Sequence, residues 1–204
     1  MLLDQMPDVQ RDALKEVSNI GVGHAATALS KMIGRRIELF VPRVLVTPLA
    51  DVPACLGGAE TLMAGIFLRI LGDARGSIML LFPQASASRL CGILTGCEQE
   101  LLENQVAVSS LKEVGNILAS AYLNALGDLI GKKLLPSVPC FAYDMAGALV
   151  DTLLVEVGRK SDLALMVETE FGGEIDSDTS IRGHFFLIPD PETYEAFFSV
   201  ATGD

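Results

Sequence analysis

A glutamate and an asparagine three residues apart occur twice in this chain, as Glu16 with Asn19 and as Glu113 with Asn116. A neutral carboxamide has no useful proton affinity near neutral pH, so it is not a general base. It can orient a water, accepting one hydrogen bond through its oxygen while its NH2 donates another, as a glutamine does for the attacking water in GTP hydrolysis. A carboxylate one turn away would repel a phosphoryl group aimed at it, and its natural use is to grip a cation on a partner, such as a lysine beside a phosphate.

Each pair belongs to a longer repeat. Ala13–Gly34 recurs as Ser110–Gly131 at a constant offset of 97 residues without a gap. Ten of the 22 aligned positions are identical: Leu14, Lys15, Glu16, Val17, Asn19, Ile20, Ala28, Leu29, Ile33 and Gly34 with their partners. Ordinary composition predicts roughly one or two. The chain is a duplicated unit with two candidate sites.

Helical periodicity places these residues. At about 100° per residue, Leu14, Val17, Gly21, Ala25, Ala28, Leu29 and Met32 share one face, and Asp12, Glu16, Asn19 and Gly23 share the opposite one. In the second copy Leu111, Val114, Leu118, Tyr122, Ala125, Leu126 and Leu129 form the core stripe, with Ser109, Glu113, Asn116 and Ser120 outside. Elsewhere on the outer surface the copies diverge: Asp12 against Ser109, Ser18 against Gly115, Gly23 against Ser120. Glu and Asn do not, although asparagine is a poor helix-interior residue with no folding advantage there.

The flanking elements follow from composition and turns. A helix is expected over Val9–Met32, ending near Gly34, with Arg35 and Arg36 beside its negative end as Lys132 and Lys133 stand in the second copy. Each helix leads into an apolar stretch, Arg36–Val46 or Lys133–Tyr143, containing a Val-Pro pair that suggests a strand end or edge. Strands are expected at Leu62–Leu71, Ser77–Phe82, Leu163–Phe171 and Ile181–Ile188. A helix follows Pro83 and another follows Pro189, proline being favoured in a first turn. The second half adds a helical or irregular segment near Met145–Asp151 and a strand near Leu153–Val157, and the acidic stretch Cys97–Glu103 joins the halves. With no low-complexity linker, the expected fold is α/β (α+β): one pseudo-twofold domain over residues 1–204, built of repeats at about 9–96 and 106–202. Their strands should form one continuous sheet flanked by the two long motif helices.

Composition narrows the function. A net charge of −11 with no basic run argues against a nucleic-acid binder. Cys55, Cys91, Cys97 and Cys140 contain no Cys-x-x-Cys, and His24 and His184 do not complete a zinc set, so no metal site and no cofactor are expected. The polar N-terminus and the lack of any run of 18 apolar residues point to a cytoplasmic protein without membrane insertion.

The spacing Asp12-x-x-x-Glu16-x-x-Asn19, followed after 22 residues by Pro42, and Ser109-x-x-x-Glu113-x-x-Asn116, followed after 22 residues by Pro139, resembles the signature of the CheC/CheX/FliY phosphatases of chemotaxis. Two full copies in a chain of this size, and the run Asn19–Ser30, are similar to the CheC branch. The resemblance implies hydrolysis of the aspartyl phosphate of the response regulator CheY. It gives Asn19 or Asn116 the water, and Glu16 or Glu113 the regulator's active-site lysine. It also implies that the Mg2+ is supplied by the phosphorylated regulator. Asp12, Ser109, Pro42 and Pro139 flank the site, the prolines shaping the nearby strand. The same resemblance implies binding of the receptor deamidase CheD, so an adaptor role is the alternative, with Tyr143–Val157 as its candidate surface.

Other features are weaker. Gly21–Ala26 fits the G-x-G-x-x-A dinucleotide pattern but lacks the preceding strand, and its repeat equivalent lacks both glycines. Gly21 is better read as a close helix contact, Gly23 as room for a partner, and His24 as a packing or surface residue. Met63, Met79, Met145 and Met166 lie in apolar runs that suggest core. Glu168, Glu170, Glu174, Asp176 and Asp178 lack EF-hand spacing and suggest a solvated hairpin.

Overall fold

The computed structural model describes residues 8–34, 36–96, 104–157, 163–173 and 181–193. The two repeat helices are α1 (Asp8–Ile33) and α4 (Gln105–Ile130). Each stops at a glycine in the left-handed region, Gly34 at φ 71° and Gly131 at φ 64°, where a side chain would be strained. Asn104 caps α4, its side-chain oxygen accepting from the Val106 and Ala107 amides at 2.9 and 3.4 Å.

Between and after these helices run β1 (Ile37–Pro48), a short 3-10 turn (Leu49–Asp51), α2 (Val52–Cys55), β2 (Leu62–Gly72), β3 (Gly76–Pro83) and α3 (Gln84–Thr95). After α4 come β4 (Leu134–Pro136), β5 (Cys140–Met145), α5 (Ala146–Val157), β6 (Leu163–Gly173) and β7 (Ile181–Pro189). The expected strand at Leu153–Val157 is instead the second half of α5. Its β-branched and leucine-rich composition suggested a strand, but Ala146, Leu149, Val150 and Leu153 are buried at helical spacing. A helix opens at 191–193; the remainder of the one expected after Pro189, the joint Cys97–Glu103, Arg35 and the loop acids Glu174, Asp176 and Asp178 lie outside the described residues.

All seven strands form one antiparallel sheet, in the order β1-β6-β7-β3-β2-β4, with β5 also pairing β2. The order reads symmetrically about β7 and β3: β1 corresponds to β4 with β5, and β6 to β2. The halves are therefore interleaved. First-half β1 pairs second-half β6, and second-half β4 and β5 pair first-half β2.

Both Val-Pro pairs fall at edge-strand irregularities of one extra residue. Phe40 and Arg43 pair Glu170 and Glu168, so Val41-Pro42 is the excess in β1. Pro136 and Cys140 pair Ile70 and Phe67, so the same excess separates β4 from β5. A proline, which has no N–H to give a ladder, is tolerated at a bulge on an edge strand.

Side-chain alternation gives the sheet two apolar faces. Ala64, Ile66, Leu68, Ile78, Leu80, Phe82, Phe185 and Leu187 pack with α1, α3 and α4, while Met63, Met79, Leu81, Phe186 and Ile188 pack with α2 and α5. Each fully buried Leu, Ile or Phe contributes about 1.5–3 kcal/mol relative to an exposed one. The motif helices do not bracket the sheet; they lie side by side on one face. At their contact a Cβ on Gly21 would stand 3.0 Å from Tyr122 Cδ2, which is the close approach expected of that glycine. The Tyr122 ring stacks on Phe185 at 4.4 Å. Burial raises the Tyr122 phenol well above its ordinary value.

Ser18 is buried and not on the outer surface, and Gly115, its repeat partner, is buried against β2. Met32 and Met145 are also corrections, 41% and 47% exposed. Ala28 and Leu129 are only half-buried. Met63 and Met79 are fully buried. Gly21–Ala26 lies inside α1, with no strand-to-helix turn to cradle a phosphate.

Candidate functional site

Along α4, Ser109, Glu113 and Asn116 occupy successive turns of one surface stripe. Ser109 and Glu113 are exposed and Asn116 is half-buried. The segment between β4 and β5 rises beside this stripe. Ser137 fastens it to β2, its amide donating to the Arg69 carbonyl at 2.9 Å and its hydroxyl accepting from the Arg69 amide at 2.9 Å. Helix and segment enclose a shallow hollow of about 370 Å³, lined by Ser109, Lys112, Glu113, Asn116, Pro136, Ser137, Val138 and Pro139. All four second-copy motif residues meet there, although Pro139 lies 23 positions beyond Asn116. The bulge explains the proline: it ends the β4 ladder and turns the chain toward α4.

Ser109 and Glu113 also border a second hollow of about 550 Å³, lined on its far side by Met32, Ile33, Leu94 and Val106. Glu113 thus stands on a ridge between two open depressions.

The first copy is arranged differently. Asp12, Glu16 and Asn19 are exposed along α1. Pro42 stands at the bulge of a continuous β1, whereas its counterpart sits in a break between two strands. His24 is exposed, as expected of a surface histidine, and a Cβ on Gly23 would meet nothing within 4 Å.

The chemistry available is that of a carboxamide, a carboxylate, a hydroxyl and an ammonium, all open to solvent. Among the described residues no three His, Cys, Asp or Glu side chains gather as a metal site. Cys91 lies under the helices, its thiol pushed up to about 11 by burial and its Sγ donating to the Ala107 carbonyl at 3.7 Å. Motif spacing alone does not point to Lys112, which also lines the hollow. Its identity with Lys15 was the available signal.

Residues 9–46 and 107–143 match the sequence model of the CheC-like family, stretches that span α1 into β1 and α4 into β5. The CheY-P phosphatase CheC of Bacillus subtilis (strain 168) is 34% identical over 206 residues, covering 99% of this chain and 98% of its own. The chain belongs to the CheC-like family. The fold is shared with Thermotoga maritima FliY, at a TM-score of 0.75 and 18% identity over 98% of both chains. It is also shared, more distantly, with a chain of the CheX-CheY-BeF3-Mg2+ complex of Borrelia burgdorferi. That match has a TM-score of 0.52 and 17% identity, and covers 84% of this chain and 96% of the other. The CheC-like segments coincide with the two copies of helix, bulge and proline. No described helix is long and apolar enough to cross a membrane.

Proposed function

We propose that this chain hydrolyses the aspartyl phosphate of phosphorylated CheY, using Asn19 and Asn116 to position water and Glu16 and Glu113 to pair with the regulator's active-site lysine. The observation that carries the reading is the hollow on α4, where Ser109, Glu113, Asn116 and Pro139 converge on an open surface. Full-length similarity to a CheY-P phosphatase supports it.

In this reaction the oxygen of the positioned water bonds to phosphorus as the bond from phosphorus to the acyl oxygen breaks. The regulator's aspartate is regenerated as a carboxylate, and the water's proton leaves with inorganic phosphate or solvent. A Mg2+ held by the regulator would draw charge from the phosphoryl oxygens, and this chain adds the oriented water. A hundredfold acceleration needs about 2.7 kcal/mol of barrier lowering, within the reach of positioning one water.

A second reading, docking of the deamidase CheD, is favoured by α5. On the sheet face away from α1 and α4, this helix presents Ala148, Asp151, Thr152 and Val155 as one exposed stripe, with Val155 84% exposed. One experiment addresses both readings. Asn19→Ala combined with Asn116→Ala should abolish accelerated decay of phosphorylated CheY while CheD still co-elutes, and Val155→Glu should do the reverse. Undiminished decay in the double variant would overturn the water-positioning assignment.

A further inference from the structure

We propose that Lys112 is a phosphate-reading residue of the second site, its ammonium contacting a non-bridging oxygen of the aspartyl phosphate while Asn116 holds the water. This rests on the phosphatase reading above and adds to it the group that recognises the phosphoryl charge.

Three observations converge on Lys112. It lines the same hollow as Ser109, Glu113, Asn116 and Pro139, and it is half-buried there. It lies four residues before Asn116, one helical turn away, so its ammonium and the carboxamide are neighbours on α4. It is also one of the ten positions kept identical between the repeats: Lys15 stands four residues before Asn19 on the exposed side of α1. Exposed helix positions accept many polar side chains, and the neighbouring surface positions Asp12 and Gly23 have diverged from Ser109 and Ser120.

Electrostatics supplies the reason. The chain carries a net charge of −11, yet its proposed substrate is an anion. Screening at physiological salt confines charge effects to about 8 Å, so the groups lining the hollow decide whether a phosphoryl dianion is tolerated. Glu113 alone would oppose it. Among the described residues no carboxylate forms an ion pair with Lys112, which leaves its three N–H donors free for a ligand. Cation and carboxylate then divide the work: Glu113 takes the regulator's lysine and Lys112 takes the phosphoryl oxygen.

The test uses the full chain with Asn19→Ala, so that the second site alone reports. Lys112→Ala should raise KM for phosphorylated CheY about tenfold, as loss of a charge-assisted hydrogen bond does, with a smaller change in kcat. Lys112→Arg should restore most of the affinity, and Lys112→Gln should not. Binding is measured in parallel to the regulator with and without BeF3− and Mg2+. Lys112→Ala should weaken the BeF3− complex about tenfold and leave the unmodified regulator unaffected. Equal loss in both forms would assign Lys112 to the regulator's own acidic surface and overturn the phosphate contact, as would unchanged kinetics. Asn116→Ala in the same background separates the two claims: if it too leaves the decay unchanged, the phosphatase reading itself has failed.

Discussion

Asn19 and Asn116 are the same residue in unequal surroundings. Asn116 is half-buried beside the Pro136–Pro139 segment, whereas Asn19 is exposed on α1. A water held in a walled hollow has fewer competing orientations, so Asn116→Ala should remove most of the activity, about tenfold, and Asn19→Ala less than threefold. Phosphate release by the two single variants checks the ranking. A separate expectation concerns His184, half-buried on β7 with Glu168 opposite it on β6, Arg182 two residues back and Phe186 beside it. Burial lowers its pKa, Glu168 partly opposes this, and Arg182 adds to it. The unfolded histidine takes a proton near 6.5 and the folded one only at lower pH, so between these values the unfolded chain binds more protons. His184 stability is thus complete above pH 6.5 and lost as pH falls through the folded value. Urea midpoints at pH 7.5 and 5.5 should differ less in His184→Gln than in the parent. The Glu and Asn pairs were legible in the sequence because duplication marked them. The hollow was not, since Pro136–Pro139 reaches α4 only through sheet pairing, and Lys112 was visible as an identity without a place.

Among the elements, the two long helices and most strands were legible from periodicity and from the glycines that stop α1 and α4. The face that α4 buries is wider than the single apolar stripe its periodicity predicts. This helix touches α1, α3 and β2 together, so Gly115, Ala119, Ala121, Leu123 and Gly127 are buried as well. Gly115 is the tightest point beneath the site. A Cβ there would lie 2.7 Å from Ile66 Cγ2, a clash that the fully buried Ile66 or α4 itself must shift to relieve. Gly115→Ala should cost about 1–3 kcal/mol despite the better helix propensity of alanine. Because Glu113 and Asn116 ride on the same turn, it should also slow the second site in an Asn19→Ala background. Gly23→Ala is the contrast: it meets nothing within 4 Å, and should stabilise α1 by roughly 0.5–1 kcal/mol. Thermal melts of both variants, with phosphate release for Gly115→Ala, decide whether close packing of α4 sets the position of the site.

At the scale of the whole molecule, one continuous sheet was legible from the repeat and the missing linker, but its strand order was not. Periodicity says which residues face inward and nothing about which strand lies beside which. The interleaved order has a physical consequence for the halves. β1 finds its partner in β6, and β4 with β5 find theirs in β2, so each half's bulged strand is paired only across the repeat boundary. β3 and β7, the central pair, join the halves again. Cutting the chain between residues 97 and 103 therefore removes no covalent link inside a described strand or helix, yet leaves each fragment with unpaired sheet edges and α1 separated from α4. Neither fragment should give a cooperative melt alone, because an exposed apolar edge invites aggregation and the Gly21–Tyr122 contact is lost. Co-expressed, they should assemble one-to-one and recover phosphatase activity. Size-exclusion chromatography and phosphate release measure this. Independent folding of either fragment as a monomer would mean that the halves are separate domains and that the interleaved sheet is not what holds the two sites on one body.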